Sequence, residues 1–342
     1  MRSPGNTVPP PFVVLPSPFA PLPTTQPAAL PPPPPDPVAV ELAALRATAG
    51  TAGEALWPGF GSAPFGMLVI QRDQESLLCQ PSVPPGFSFA GRDPATGCNR
   101  FVRPRTGLPA GLLAAIPIFG PPSTIVMGTR DATGLSPMRW RSTVFHEHFH
   151  QWQAELPGYY GRVAALDLAG GDETGMWMLS FPFPYDDAAI RAAYYNAAQA
   201  LADALEARRT QGFPTRVAQY VEQRRALAAA AGERNWRYLE FQLWQEGVAR
   251  WTEIALGRNS DDWATRMDAE AREQEVIGGL QHPDLERQRR LVVYELGAGE
   301  AMLLEACGTG WRSRYATLLA LGPLVEEAAV ACRGRGTTTV AR

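Results

Sequence analysis

Fifteen of the 33 prolines in this chain lie within its first 38 positions, five of them in succession at residues 31–35. Proline fixes φ and has no amide N–H, so such a stretch can join neither a helix interior nor a sheet ladder. Residues 1–38 are therefore expected to form a solvated, polyproline-rich tail. A plain spacer is the simpler expectation for it; a PxxP ligand for a partner domain is the functional one. Its only apolar run, Phe12-Val13-Val14-Leu15, is ended by Pro16. That is too short for the apolar centre of a signal peptide, and none is visible. The core must come from residues 39–342.

The whole chain is 45% hydrophobic and 19% charged, ordinary for a globular domain. Its formal charge is -3, and all 31 basic residues are Arg. That balance leaves no basic face for nucleic acid and no polybasic membrane anchor. No run reaches the roughly 18 apolar residues of a membrane span. Four cysteines fall into two local pairs, Cys79 with Cys98 and Cys307 with Cys332, without CxxC or zinc-ribbon spacing. Two disulfides closing short loops are expected, which leans the chain towards an extracytoplasmic or secreted setting.

Along residues 39–342 the character changes once. A short Ala/Leu helix is expected at 38–47, and β-prone runs at 67–70, 116–119 and 124–127 alternate with Gly/Pro turns, reading as a small sheet within 39–135. Helical patterns then dominate 136–342, at 188–209, 215–231, 235–256, 263–278, 285–307 and 312–331. One α+β domain, mainly helical, with the small sheet first, is the economical architecture.

Only four histidines occur, and three of them lie in His146-Glu147-His148-Phe149-His150. Chance would produce a His-Glu-x-x-His pattern at this composition on the order of 0.003 times. As a strand, this segment would put all three His on one face. As a helix, it puts His146 and His150 one turn apart, able to share a metal ion, with Glu147 beside them. The flanks favour the helix: Ser136 is a good N-cap, Pro137 suits the first turn, and Pro157-Gly158 supply a stop. Met138, Phe145, Phe149, Trp152 and Leu156 form its apolar stripe, while Thr143, His146, His150 and Gln153 share another face. His148, about 200° around the helix from His146, is expected to pack or face solvent. Trp140, Trp152 and Trp177 read as core, and Asp186-Asp187 as a helix start.

Two His leave a zinc site one protein ligand short. A third His in the metzincin position is ruled out, because Gln153 and Leu156 stand where Gly and His would be needed. Glu246, in Glu246-Gly247-Val248-Ala249, lies off the apolar stripe of Phe241, Trp244, Val248 and Trp251. The small Gly247 and Ala249 would let its helix approach the first one closely. Glu173, in the Gly-rich Gly170-Gly171-Asp172-Glu173 loop, is the alternative ligand.

The His146-Glu147-x-x-His150 helix followed by Glu246-Gly-x-Ala resembles the zincin metallopeptidases, in particular the gluzincin branch related to thermolysin. The resemblance spans about residues 124–305; the distance from His150 to Glu246 is longer than in thermolysin-like enzymes and matches gluzincin-like families with helical insertions. It implies one Zn²⁺ held by His146, His150 and Glu246, with Glu147 as the general base for a zinc-activated water, and a peptide or protein substrate. It further implies an edge strand just before the helix, for which 124–128 is expected, and a donor for the oxyanion. Tyr294 is the candidate donor, with Tyr159, Tyr160 and His282 competing for that role. Glu253, two turns after Glu246, is expected either to hydrogen-bond a zinc-binding imidazole or to pair with Arg250 at the surface. Two other classes stand beside zinc-dependent peptide hydrolysis: a non-catalytic zincin-like binding module and a structural metal site. The chain carries no signal for oligomeric state.

Overall fold

The computed structural model describes residues 36–336. Residues 1–35, most of the stretch assigned to the Pro-rich tail, lie outside them. Asp36 caps the first helix, α1 (Pro37–Thr48), by accepting the Val38 N–H, and Pro37 takes the first position, where no amide donor is needed.

Six strands follow: β1 (Met67–Ile70), β2 (Gln74–Leu78), β3 (Ser88–Arg92), β4 (Asn99–Pro104), β5 (Leu113–Ile116) and β6 (Thr124–Gly128). They form one mixed sheet in the order β3-β4-β2-β1-β6-β5, in which only the β1–β6 pair is parallel. With period two, Met67, Val69, Ile125 and Met127 face the helices, whereas Leu68, Ile70 and Val126 face a smaller core closed by Phe87, Phe101 and loop side chains.

Two strand expectations are corrected. The strand expected at 116–119 lies earlier, at Leu113–Ile116, because Pro117 cannot donate to the ladder. More consequentially, 124–128 is not the edge. It is β6, hydrogen-bonded on both sides, and β5 is the edge strand on that side of the sheet.

The helices are α2 (Pro137–Ala154), α3 (Ala188–Glu206), α4 (Phe213–Ala231), α5 (Glu233–Gln242), α6 (Val248–Arg258), α7 (Trp263–Gln281), α8 (Val292–Cys307) and α9 (Gly322–Gly336), with several shorter turns. Ser136 accepts the Arg139 N–H to cap α2, and Asp187 accepts two amides to open α3. Between α5 and α6 the chain continues without a break through a π-helical turn, Leu243–Gly247. The helix expected over 285–307 breaks at Arg289, whose φ is +50°. The one expected over 312–331 breaks as well, into Arg312–Tyr315 and α9, where Pro323 in the first turn suits a fresh start.

Helix α2 lies between the β5/β6 side of the sheet and helices α6 and α7. Trp57, fully buried, packs its ring against Phe149, Trp152, Trp251, Trp311 and Tyr315 and donates to Thr252 Oγ1 at 3.0 Å. One N-terminal side chain thus pins α2 to α6. Trp140, Trp152 and Trp177 are buried in the same core. The described residues are α+β, 59% helical, with the small mixed sheet. Cys79–Cys98 and Cys307–Cys332 are joined at S–S distances of 2.09 and 2.11 Å, compatible with an extracytoplasmic location. Among the described residues no helix is long and apolar enough to cross a membrane.

Candidate metal centre

Helical spacing brings His146 Nε2 and His150 Nε2 on α2 to 3.1 Å from each other. Glu246 Oε2, from the π-turn, stands 3.3 Å from each of them. The three donors form a nearly equilateral triangle. Four ligands around zinc at about 2.0–2.1 Å would stand about 3.3–3.4 Å apart in a tetrahedron. The triangle therefore has the size of one tetrahedral face, and its N,N,O donor set is one that zinc accepts. Among the described residues this is the one His/Cys/Asp/Glu group close enough to hold a metal ion.

Each imidazole is oriented by its other nitrogen. His146 Nδ1 lies 3.3 Å from Glu253 Oε2, and His150 Nδ1 lies 2.7 Å from Gln153 Oε1. With Nδ1–H donated to those oxygens, both Nε2 lone pairs are left for the centre of the triangle. Gln153 is itself held: its amide donates to Tyr315 Oη at 2.7 Å and to the Gln245 carbonyl at 3.2 Å, and Tyr315 donates on to the Trp244 carbonyl. Glu253 touches His146, as one of its two expectations had it, and also pairs with Arg250 and Arg272. It is buried rather than superficial.

The π-turn explains how Glu246 arrives. The wider turn lets the long α5–α6 helix present Glu246 and Glu253 to α2 while keeping Trp244 and Val248 in the core. Gly247, however, does not face α2. A Cβ there would stand 2.3 Å from Gly297 Cα, so the small residue serves a close crossing with α8. That crossing carries Tyr294, on the first turn of α8, to the site: its ring centre lies 5.6 Å from that of His146. Arg290, one turn earlier, places Nη1 3.4 Å from Glu246 Oε1 and 3.1 Å from Gln242 Oε1, with Nη2 3.5 Å from Tyr294 Oη.

Burial favours the neutral form of Glu147, and although both imidazoles oppose it, the Glu147 carboxyl sits above its usual range. Burial also works against ionisation of Glu246, but His150 and His146 override it and hold that carboxyl well below its usual range. Burial disfavours protonation of His146, yet Glu246 and Glu253 outweigh it and raise the imidazole to about 9 before any metal arrives. Tyr294 is pushed up by burial and by Glu246, so its phenol stays neutral and can donate.

Edge strand β5 borders the site. Gly128 N–H donates to the Leu112 carbonyl, so antiparallel alternation turns the main-chain groups of Ala114 and Ile116 towards β6 and those of Leu113 and Ala115 outwards. The Ala115 N–H lies near the Glu147 carboxylate and favours its ionised form.

Other residues singled out in the sequence lie elsewhere. Glu173 is exposed in its loop and is not part of the donor group. His148 is fully buried between the rings of Phe60 and Phe65, at 4.6 and 4.0 Å, and burial lowers its pKa to about 4. Tyr159 is buried and donates to Gln245 Oε1 at 3.3 Å, next to the ligand rather than at the triangle, while Tyr160 and His282 are exposed. Arg290, Gln153 and Tyr315 were not assigned from sequence. Arg290 and Tyr294 are four apart, a signal one of 31 arginines cannot carry alone, and Tyr315 reaches Gln153 across 162 positions of sequence.

Comparison with family models, curated proteins and solved structures found no match.

Proposed function

We propose that the protein is a zinc-dependent peptidase of the gluzincin type. The single observation behind this reading is the His146–His150–Glu246 triangle, already at the spacing of a tetrahedral face and with both imidazoles locked from behind. When bound there, zinc would supply Lewis acidity, polarising a carbonyl and making water more acidic. Three protein ligands leave one position open, the arrangement of a catalytic rather than a structural site.

The chain's own residues carry the rest. Glu147, with the Ala115 N–H near it, accepts the proton of the water that adds to the scissile carbonyl carbon. It then returns that proton to the amide nitrogen as the C–N bond breaks, so a carboxylic acid and an amine leave. A carboxyl held above its usual range is the better base near neutrality. Tyr294, kept neutral, donates to the developing oxyanion. The outward groups of Leu113 and the Ala115 carbonyl offer hydrogen bonds to an extended peptide added alongside β5. The two disulfides fit an extracytoplasmic or secreted place of work.

Elemental analysis of the purified chain beside Glu246→Ala, Glu173→Ala and Glu147→Gln tests this. One zinc per chain is expected, lost in Glu246→Ala, retained in Glu173→Ala, and retained in Glu147→Gln with hydrolysis of a peptide library down about 10²–10⁴-fold. A metallated wild type without peptide hydrolysis would turn the reading to a binding module. A wild type that takes up no zinc would end it.

A further inference from the structure

Resting on that metal site, we propose that Arg290 is the positioning residue that makes Glu246 a one-oxygen ligand and so keeps the fourth position of the site open. The two carboxylate oxygens of Glu246 face different partners: Oε2 is 3.3 Å from both imidazole Nε2 atoms, and Oε1 is 3.4 Å from Arg290 Nη1. A carboxylate free to turn would offer both oxygens to a cation. One with its outer oxygen engaged by a guanidinium offers one.

The guanidinium is itself held on three sides. Nη1 also donates to Gln242 Oε1, one turn before Glu246 on the same continuous helix, and Nη2 lies against Tyr294 Oη on α8. Gln242 is fully buried, so its carbonyl oxygen is shielded from competing water. Arg250, the other arginine against the Tyr294 ring, is committed to Glu253, which leaves Arg290 as the cation serving Glu246.

The backbone supplies an independent sign. Arg289 has φ +50° and ψ -125°, a conformation that glycine tolerates and a side chain does not favour. Strain of this kind persists where surroundings over-determine it, and here it lies one residue before the side chain that reaches Glu246. Arg289 is anchored by its guanidinium 4.9 Å over the Tyr185 ring. The break it creates separates helix Leu285–Gln288 from α8 and lies immediately before Arg290.

The test uses the full chain loaded with Zn²⁺, or with Co²⁺ as a coordination probe. Wild type is expected to show the intense visible bands of four-coordinate cobalt; a five- or six-coordinate spectrum in wild type overturns the proposal whatever any variant does. In Arg290→Gln, zinc affinity should fall about 10–100-fold and the cobalt bands should weaken towards higher coordination. Arg290→Lys, which returns the charge without the fork, should recover most of the affinity. Unchanged affinity and an unchanged cobalt spectrum in Arg290→Gln overturn the proposal while the metal site stands. Failure of wild type to bind either metal overturns the metal site itself.

Discussion

Replacing Gly247 with Ala tests whether the π-turn is held by the α8 crossing. The added Cβ would stand 2.3 Å from Gly297 Cα, 2.7 Å from its carbonyl carbon and 3.0 Å from Ala298 N. All three are backbone atoms of a packed helix and cannot rotate aside. Carbon atoms in ordinary contact are about 3.5–4.0 Å apart, so the two helices must separate by about 1.2 Å or more. Overpacking of this kind costs about 1–3 kcal/mol, a fall in Tm of about 2–6 °C for a chain of this size. The same displacement draws Glu246 away from Arg290 and Tyr294, so zinc affinity should fall about 10–100-fold, as when a supporting partner of a ligand is lost. Thermal unfolding and competition with a chromogenic chelator would read the two effects. Gly278→Ala is the control: it lies in helix α7 with nothing within 4 Å of the new Cβ, and should be neutral or stabilising by about 1 kcal/mol. A Gly247→Ala protein that melts and binds zinc like wild type would refute the close-crossing argument.

Three further outcomes follow from other contacts. Gln153→Ala removes the oxygen 2.7 Å from His150 Nδ1, and chelator competition should show zinc affinity about 10–100-fold lower; unchanged affinity would mean that His150 is oriented by packing alone. Removing the Cys307–Cys332 bridge, which spans 25 residues between α8 and α9, by a double change to Ala should cost about 3 kcal/mol, read by denaturant unfolding. Glu75 is buried in β2, which pushes its carboxyl up, but the Thr106 hydroxyl and amide and the Arg103 guanidinium outweigh burial and hold it below its usual range. The unfolded chain then takes up a proton at Glu75 before the folded one does, so this stabilisation is present above the usual carboxyl pKa and is lost as pH falls through it. Tm between pH 7 and pH 3 should drop more steeply in wild type than in Glu75→Gln, and parallel curves would sink that assignment.

What was legible in the sequence was local. Ser136, Pro137 and the apolar stripe define α2, and helical spacing alone sets His146 beside His150. Non-local pairing was not. The resemblance implied an edge strand just before α2, for which 124–128 was expected, yet a run this apolar and buried throughout is the mark of a strand covered on both faces, and the edge on that side is the bland Leu-Ala-Ala-Ile of β5. Strands β2, β3 and β4 were hidden because polar residues interrupt them, and the buried Glu75 is tolerated only through Arg103 and Thr106, 28 and 31 positions away. Gly247 announced a close approach but not its partner, since smallness in a sequence does not say what fills the space. For His148 the angle from His146 left packing and solvent open, and the structure gives packing, because α2 is buried from Val144 to Phe149.

Three glutamates meet at this site with one side-chain chemistry and three environments. Glu253 is neutralised by Arg250 and Arg272 and spends its remaining oxygen on His146 Nδ1. Glu246 shares its outer oxygen with Arg290 and is held ionised by the imidazoles, as a ligand requires. Among the described residues Glu147 alone of the three has no arginine, and burial holds its carboxyl up. Environments that drive like groups apart in pKa assign them different work: a carboxyl kept low remains an anion towards a cation, and one kept high can take and return a proton. Exchanging those environments should exchange the roles. Placing an arginine against Glu147 would lower its basicity and slow hydrolysis without releasing metal, whereas removing Arg290 would act on the metal first.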